Sequence, residues 1–222
     1  MTGSLVRRLI LLDLYLMRWP VAGALIAGAV SIALLPLSPV SAYVGGVSLI
    51  CVIVILNIVL VMTFIVQEKK DKVQIFMLSL PVSTTQYTAA KLVANAIAFA
   101  GSWIALTVGA VAVIDVSALP NGSVPFLVTV LAYLLMYYCV LLGTGLASDR
   151  AGWHATVITV GNVSVNFLIP WLLSRPSVYR NRTGPVAVWT EDIVAVLVVE
   201  TIVAVTALWL GLYVRSRRTD FV

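Results

Sequence analysis

Six stretches of the chain, at about 19–37, 44–66, 88–114, 124–147, 153–173 and 192–214, are each apolar over the length that a membrane helix requires. About 20 residues at a rise of 1.5 Å each cross a hydrocarbon core roughly 30 Å thick. Nothing between these stretches approaches the roughly 100 residues of a typical soluble domain. A chain divided this way satisfies its backbone polar groups only as helices within a bilayer. Charge agrees with that constraint: Asp, Glu, Lys and Arg make up 10% of the 222 residues, against about 25% in soluble domains. The expected fold class is an all-α polytopic membrane protein, with one transmembrane domain over 1–222.

The net charge of +5 and the pI near 9.4 raise nucleic acid as a partner. A nucleic-acid reader clusters its basic residues on one face, whereas here they sit at helix ends, so no nucleic-acid partner is expected. With the amino terminus inside, eleven of the fourteen basic residues fall on the inner side: Arg7, Arg8, Arg18, Lys69, Lys70, Lys72, Lys91, Arg150, Arg215, Arg217 and Arg218. Only Arg175, Arg180 and Arg182 fall outside, in one loop. The positive-inside rule then places both termini on the cytoplasmic side. Trp19, Trp153 and Trp209 near inner ends, and Trp171 and Trp189 near outer ends, fit the aromatic belts. Trp103 lies mid-segment, where packing is its default role. Asp13 and Arg18 interrupt the apolar run after Arg7 and Arg8, so no cleaved targeting segment is expected.

Two elements lie outside the crossings. Residues 1–18 place Arg7, Arg8, Tyr15 and Arg18 on one side of a helix and Leu5, Leu9, Leu12 and Leu16 on another, which predicts an amphipathic helix in the inner interface. Pro20 would mark its turn into the bilayer; the alternative is a cytoplasmic extension of the first crossing. The second element, 67–87, carries five consecutive charges, Glu68 to Lys72, in a chain with little charge elsewhere. Val73, Phe76, Met77 and Leu80 then recur at i, i+3, i+4 and i+7 as a short apolar helix face. Pro81 stops it, and Ser83 with Gln86 forms a capping box that starts the next helix near Thr84. That helix, at about 46 Å, exceeds the bilayer core, so its first turns project into the cytoplasm. A solvated linker needs no such capped helix.

The run Glu68, Lys69, Lys70, then Leu78, Ser79, Leu80, Pro81, Val82, Ser83, then Tyr87 and Lys91, resembles the permease subunits of type-2 ABC transporters. Six crossings, internal termini and an amphipathic start extend the resemblance over nearly the whole chain. The resemblance implies that the second-to-third connection is a coupling helix, with Glu68, Lys69, Lys72, Val73, Phe76, Met77, Leu80 and Pro81 meeting an ATP-binding subunit. It implies two copies of that subunit and a second permease copy, identical or paralogous, the pair enclosing an export path. The outer loop at about 174–191 is short and arginine-bearing, a departure from the family's outer helices. No G-x-x-x-x-G-K-[ST] loop occurs in the chain, so ATP and Mg are expected on the partner subunit.

Polar residues within the crossings are the candidate substrate path: Asn57, Asn95, Thr159, Asn162, Asn166 and Glu200. Intramembrane carboxylates face a bundle interior or water, and amide and hydroxyl groups also serve as bonds between helices. Gly23 with Ala27 and Ala24 with Gly28 form overlapping small-x-x-x-small patterns, candidates for the dimer seam between first crossings. His154 reads as a solvated loop residue. Asn121-Gly122-Ser123 and Asn181-Arg182-Thr183 match a glycosylation sequon and read better as turns. Cys51 and Cys139 read as packing residues, without the His or Cys spacing of a metal site, and no catalytic residue is expected. An intramembrane enzyme would need convergent acids, bases or nucleophiles. A substrate-capture subunit of another transport complex would not need the charged element at 67–87. A path poor in fixed charge favours an amphiphilic or hydrophobic cargo.

Overall fold

The computed structural model describes residues 2–67, 84–117, 119–148 and 150–217. Among them all regular structure is helical: α1 Thr2–Ala33, α2 Pro39–Val61, α3 Thr84–Val116, α4 Val124–Ala147, α5 Ala151–Ser174, α6 Pro176–Arg182 and α7 Glu191–Arg217. All but the short α6 are long and apolar enough to cross a membrane. Six crossings bring the described ends, Thr2 and Arg217, to one end of the bundle, together with Gln67, Thr84, Ser148 and Arg150. Residues 34–38, 117–123 and 175–190 occupy the opposite end.

Local chemistry sets the helix starts. Ser38 Oγ accepts a hydrogen bond from the Ser41 N–H at 3.1 Å while Pro39 opens α2, a capped start with proline where its missing N–H costs nothing. Prolines open α4 and α6 in the same way. α3 is described from Thr84 onward, and Ser83, the cap of the expected S-x-x-Q box, lies outside the described residues. α2 runs directly into a π-helical turn, Met62–Gln67, a deviation that recurs at functional sites.

α4 is the axis of the packing, touching α2, α3, α5 and α7. Its Leu131, Leu134, Leu141 and Leu142 are fully enclosed. Backbones approach most closely where α4 crosses α7. A Cβ at Gly211 would lie 2.7 Å from the Gly143 Cα, so only glycine permits this crossing. α1 packs on α2 and α3, and Gly45 of α2 lies against the Ser31 carbonyl. Five tryptophans, Trp19, Trp153, Trp171, Trp189 and Trp209, face outward. Trp103 turns inward, its Nε1–H donating to the Leu131 carbonyl at 2.8 Å. Cys139 is buried as expected, but Cys51 is exposed.

The break expected near Pro20 is absent: α1 continues through it from Thr2 to Ala33. The residues facing the bundle explain why. Asp13, Met17, Ser31 and Ile32 are buried, and Leu14, Val21, Ala24 and Leu25 pack against the core. These positions form one stripe that runs through the proline, and packing along it holds the helix together despite the lost backbone bond. Leu12 and Leu16, expected to define the apolar side, are exposed, as are Arg7, Arg8 and Tyr15. At 32 residues, α1 is about 48 Å long, some 18 Å more than a bilayer core.

The arginine-bearing loop does contain a helix, α6, whose Val178 is buried. It closes over the short turn at Asn121–Ser123. The Gly122 N–H donates to the Gly184 carbonyl at 3.0 Å, and the Gly184 N–H to the Asn181 carbonyl at 3.0 Å. A side chain at Gly122 would strike the Asn181 carbonyl. The first sequon-like triplet is thus a tight turn as expected, whereas the second is the last turn of α6, and the two pack on each other.

Candidate functional site

The eight residues Glu68, Lys69, Lys72, Val73, Phe76, Met77, Leu80 and Pro81 lie outside the described residues. Their flanks are described. Lys91 Nζ of α3 sits 3.4 Å from Asp13 Oδ1 of α1 and donates to the Phe64 carbonyl in the π-helical turn at 3.5 Å. The two side chains are only 11% and 9% exposed. Lys91 Nζ also lies 5.6 Å from the Tyr87 ring centroid. Lys91 is therefore more than a topology signal, because it joins α1, α3 and the end of α2 at the two roots of the 68–83 connection. The sequence carried a hint of this pairing: an Asp and a Lys on otherwise apolar helices are expected to find each other.

Deeper in the bundle, the six candidate path residues fall into three separate places. Asn95 is fully buried, with its Nδ2 donating to the Leu60 carbonyl at 2.9 Å and its Oδ1 accepting from the Tyr138 hydroxyl at 2.7 Å. The Tyr138 ring stacks on Phe99 at 3.9 Å. Asn95 thus joins α2, α3 and α4, the interhelical role open to such residues. Asn57, one turn before Leu60, is equally buried, and its amide has no hydrogen-bond partner among the described residues.

Thr159, Asn162 and Asn166 do share a face of α5, but it points away from the chain's own core. Thr159 and Asn166 are exposed and Asn162 half-buried. The Asn166 amide donates back to the Asn162 carbonyl at 2.8 Å, which satisfies it locally. The opposite side of α5 forms a groove of about 400 Å³ with α4, lined by Tyr133, Tyr137, Thr156, Gly161 and Ser164 among others. The Tyr133 hydroxyl donates to the Gly161 carbonyl at 3.0 Å, and the Tyr137 ring fills the space a side chain at Gly161 would take. These tyrosines were invisible as site residues in the sequence, because an apolar helix with aromatic residues reads as core.

Glu200 lies on α7, 5% exposed, with neither carboxylate oxygen hydrogen-bonded among the described residues. The sequence placed it inside the membrane, and the structure adds that it faces the bundle.

The small-residue pattern of α1 divides between two faces. Gly28 is buried against Leu106 of α3, and Ala24 packs on the core, so that pair serves packing within the chain and not a seam. Gly23 and Ala27 are exposed, with open space around Gly23. His154 overturns the solvated-loop expectation, being fully buried in the first turn of α5. The helix begins three residues earlier than a loop reading allows, and its neighbour Trp153 takes the outward direction.

This arrangement holds buried polar groups at separate places in the bundle. No curated protein and no solved structure matches the chain. A family model described as ABC-2 family transporter protein matches residues 8–213. That match covers nearly all of the six-helix bundle, and the chain belongs to the ABC-2 family as a multi-pass membrane transport permease.

Proposed function

We propose that the chain is the permease of an ATP-driven exporter, working as a pair with two copies of a separate ATP-binding subunit that carries ATP and Mg. The observation that carries this reading is the buried Lys91 contact with Asp13 and the Phe64 carbonyl. It bolts α1, α3 and the end of α2 together at the roots of residues 68–83. A push delivered to that connection by a partner reaches three crossings at once. In this reading Phe76, with Val73, Met77 and Leu80, fills a groove on the ATP-binding subunit, while Glu68, Lys69 and Lys72 lie at its rim next to Pro81. Both termini face the cytoplasm of the cell membrane.

The exposed Gly23 and Ala27 and the outward stripe of Thr159, Asn162 and Asn166 support a seam between two copies along α1 and α5. The path between the copies, with Asn57, Asn95 and Glu200 behind it, suits an amphiphilic cargo.

The test compares Phe76→Ala with Lys69→Ala at equal membrane abundance. Buried aromatic residues dominate interface energy, so Phe76→Ala should weaken recovery of the ATPase complex by about 2 kcal/mol. Lys69→Ala should change mainly its salt dependence. Wild-type assembly and substrate-stimulated ATP hydrolysis in Phe76→Ala would remove the coupling role. Single cysteines at Lys70 and Arg217 should label only from the cytoplasm, and one at Asn121 only from outside.

A further inference from the structure

At the end of the bundle opposite the termini, the last turns of α3, the Asn121–Ser123 turn, the start of α4 and residues 185–187 enclose a cleft of about 610 Å³. That volume is in the range of small-molecule sites. Its walls are apolar, with Val108, Val111 and Val186 among them, and three polar side chains interrupt them: Thr107, Asp115 and Asn121. The Thr107 hydroxyl oxygen and the Asn121 amide oxygen are buried with no hydrogen-bond partner among the described residues. Asp115 is exposed at the mouth. No ion pair or hydrogen bond reaches it among the described residues, although the neighbouring loop carries Arg175, Arg180 and Arg182; Arg175 instead stacks over Trp171 at 4.5 Å.

We propose that this cleft binds an amphiphile with a primary ammonium head and an aliphatic body. The carboxylate and the amide oxygen are acceptors only, so a ligand that meets both brings hydrogen-bond donors, and the negative charge of Asp115 favours a cation. Asp115 and Thr107 are eight residues apart on α3, about 12 Å along the axis, with Val108 and Val111 between them. An ammonium held by Asp115 and Asn121 therefore lays its aliphatic chain along that apolar strip toward Thr107. An anionic head meets Asp115 with like charge, and a quaternary ammonium keeps the attraction but donates nothing to Asn121. Binding at this cleft is an equilibrium property of the chain alone and stands or falls independently of ATP-driven export.

The experiment measures binding of radiolabelled dodecylamine to the full chain in phosphatidylcholine nanodiscs, below the concentration at which the amine disrupts them. Saturable binding is expected. Dodecyltrimethylammonium should compete about tenfold more weakly, the factor expected for losing charge-assisted hydrogen bonds, and dodecanol and dodecyl sulfate should not compete. Asp115→Asn should weaken binding about tenfold, and Ala112→Phe, which fills the cleft, should abolish it. Both positions are exposed on α3, so the variants should insert normally. Replacing phosphatidylcholine with phosphatidylethanolamine assigns the source: competition identifies a membrane lipid as occupant, and its absence identifies a free amphiphilic amine. Equal binding of dodecyl sulfate, or unchanged dodecylamine binding in both variants, would overturn the proposal by showing plain partition into the bilayer.

Discussion

The two ends of the bundle treat an aspartate on a long apolar helix in opposite ways. At the end holding the termini, Asp13 is buried and paired with Lys91. At the other end, Asp115 of the same α3 that carries Lys91 is exposed in a cleft without an ion pair among the described residues. The first arrangement locks helices together beside the described flanks of residues 68–83. The second leaves a charge available to something that is not part of the chain. Burial demands a partner for the first carboxylate, whereas exposure leaves the second open to solvent or a ligand.

Breaking the joint should have the largest effect. Removing one partner of a buried pair leaves the other uncompensated, at a cost of about 3–5 kcal/mol. Asp13→Ala and Lys91→Ala should each lower stability by this order in thermal inactivation of detergent-solubilised protein. The double variant should cost clearly less than the two singles combined; simple additivity would mean that the pair does not interact.

Next come the glycine contacts, one at each end. Gly143→Val should push α4 from α7 and cost about 1–3 kcal/mol, the usual penalty of overpacking, because its neighbour is the Ala207 backbone. Gly122→Val meets the Asn181 carbonyl and should cost about as much in stability. It should also disturb the cleft, where Asn121 adjoins, so dodecylamine binding should fall with it but not with Gly143→Val. Equal loss of binding in both would erase the distinction between the ends.

A smaller effect is expected at Asn95. Asn95→Leu removes the bonds to Leu60 and Tyr138 and should cost about 1–2 kcal/mol, the range for interhelical hydrogen bonds in membranes. The sharpest contrast comes last: Asp115→Asn should leave stability within about 0.5 kcal/mol of wild type, since nothing in the chain depends on it. A loss as large as that of Asp13→Ala would show that both aspartates are structural.

Much of this architecture was legible before any coordinates. Six apolar runs announce the crossings, because these depend on length and hydropathy; the start of α2 at Pro39, ahead of the run expected from about 44, was set by the Ser38 cap. The membrane location of Glu200 and the shared face of Thr159, Asn162 and Asn166 were equally visible. What that face looks toward was not, because helical periodicity groups residues without saying which neighbour each group meets. Gly23 with Ala27 and Ala24 with Gly28 look alike in the sequence, yet α3 covers one pair and leaves the other open.

The sequence by itself determined an all-helical membrane protein of six crossings, since backbone polar groups in hydrocarbon leave no other solution for these apolar runs. Tertiary structure alone decided that α1 passes through Pro20, that His154 is buried, and that Asp13 meets Lys91 from 78 residues away while Asp115 meets no partner among the described residues. In a bilayer nearly every side of a helix is apolar, so hydropathy says that a helix is buried in something but not whether that is lipid or protein. Close packing of specific side chains and glycines settles the difference.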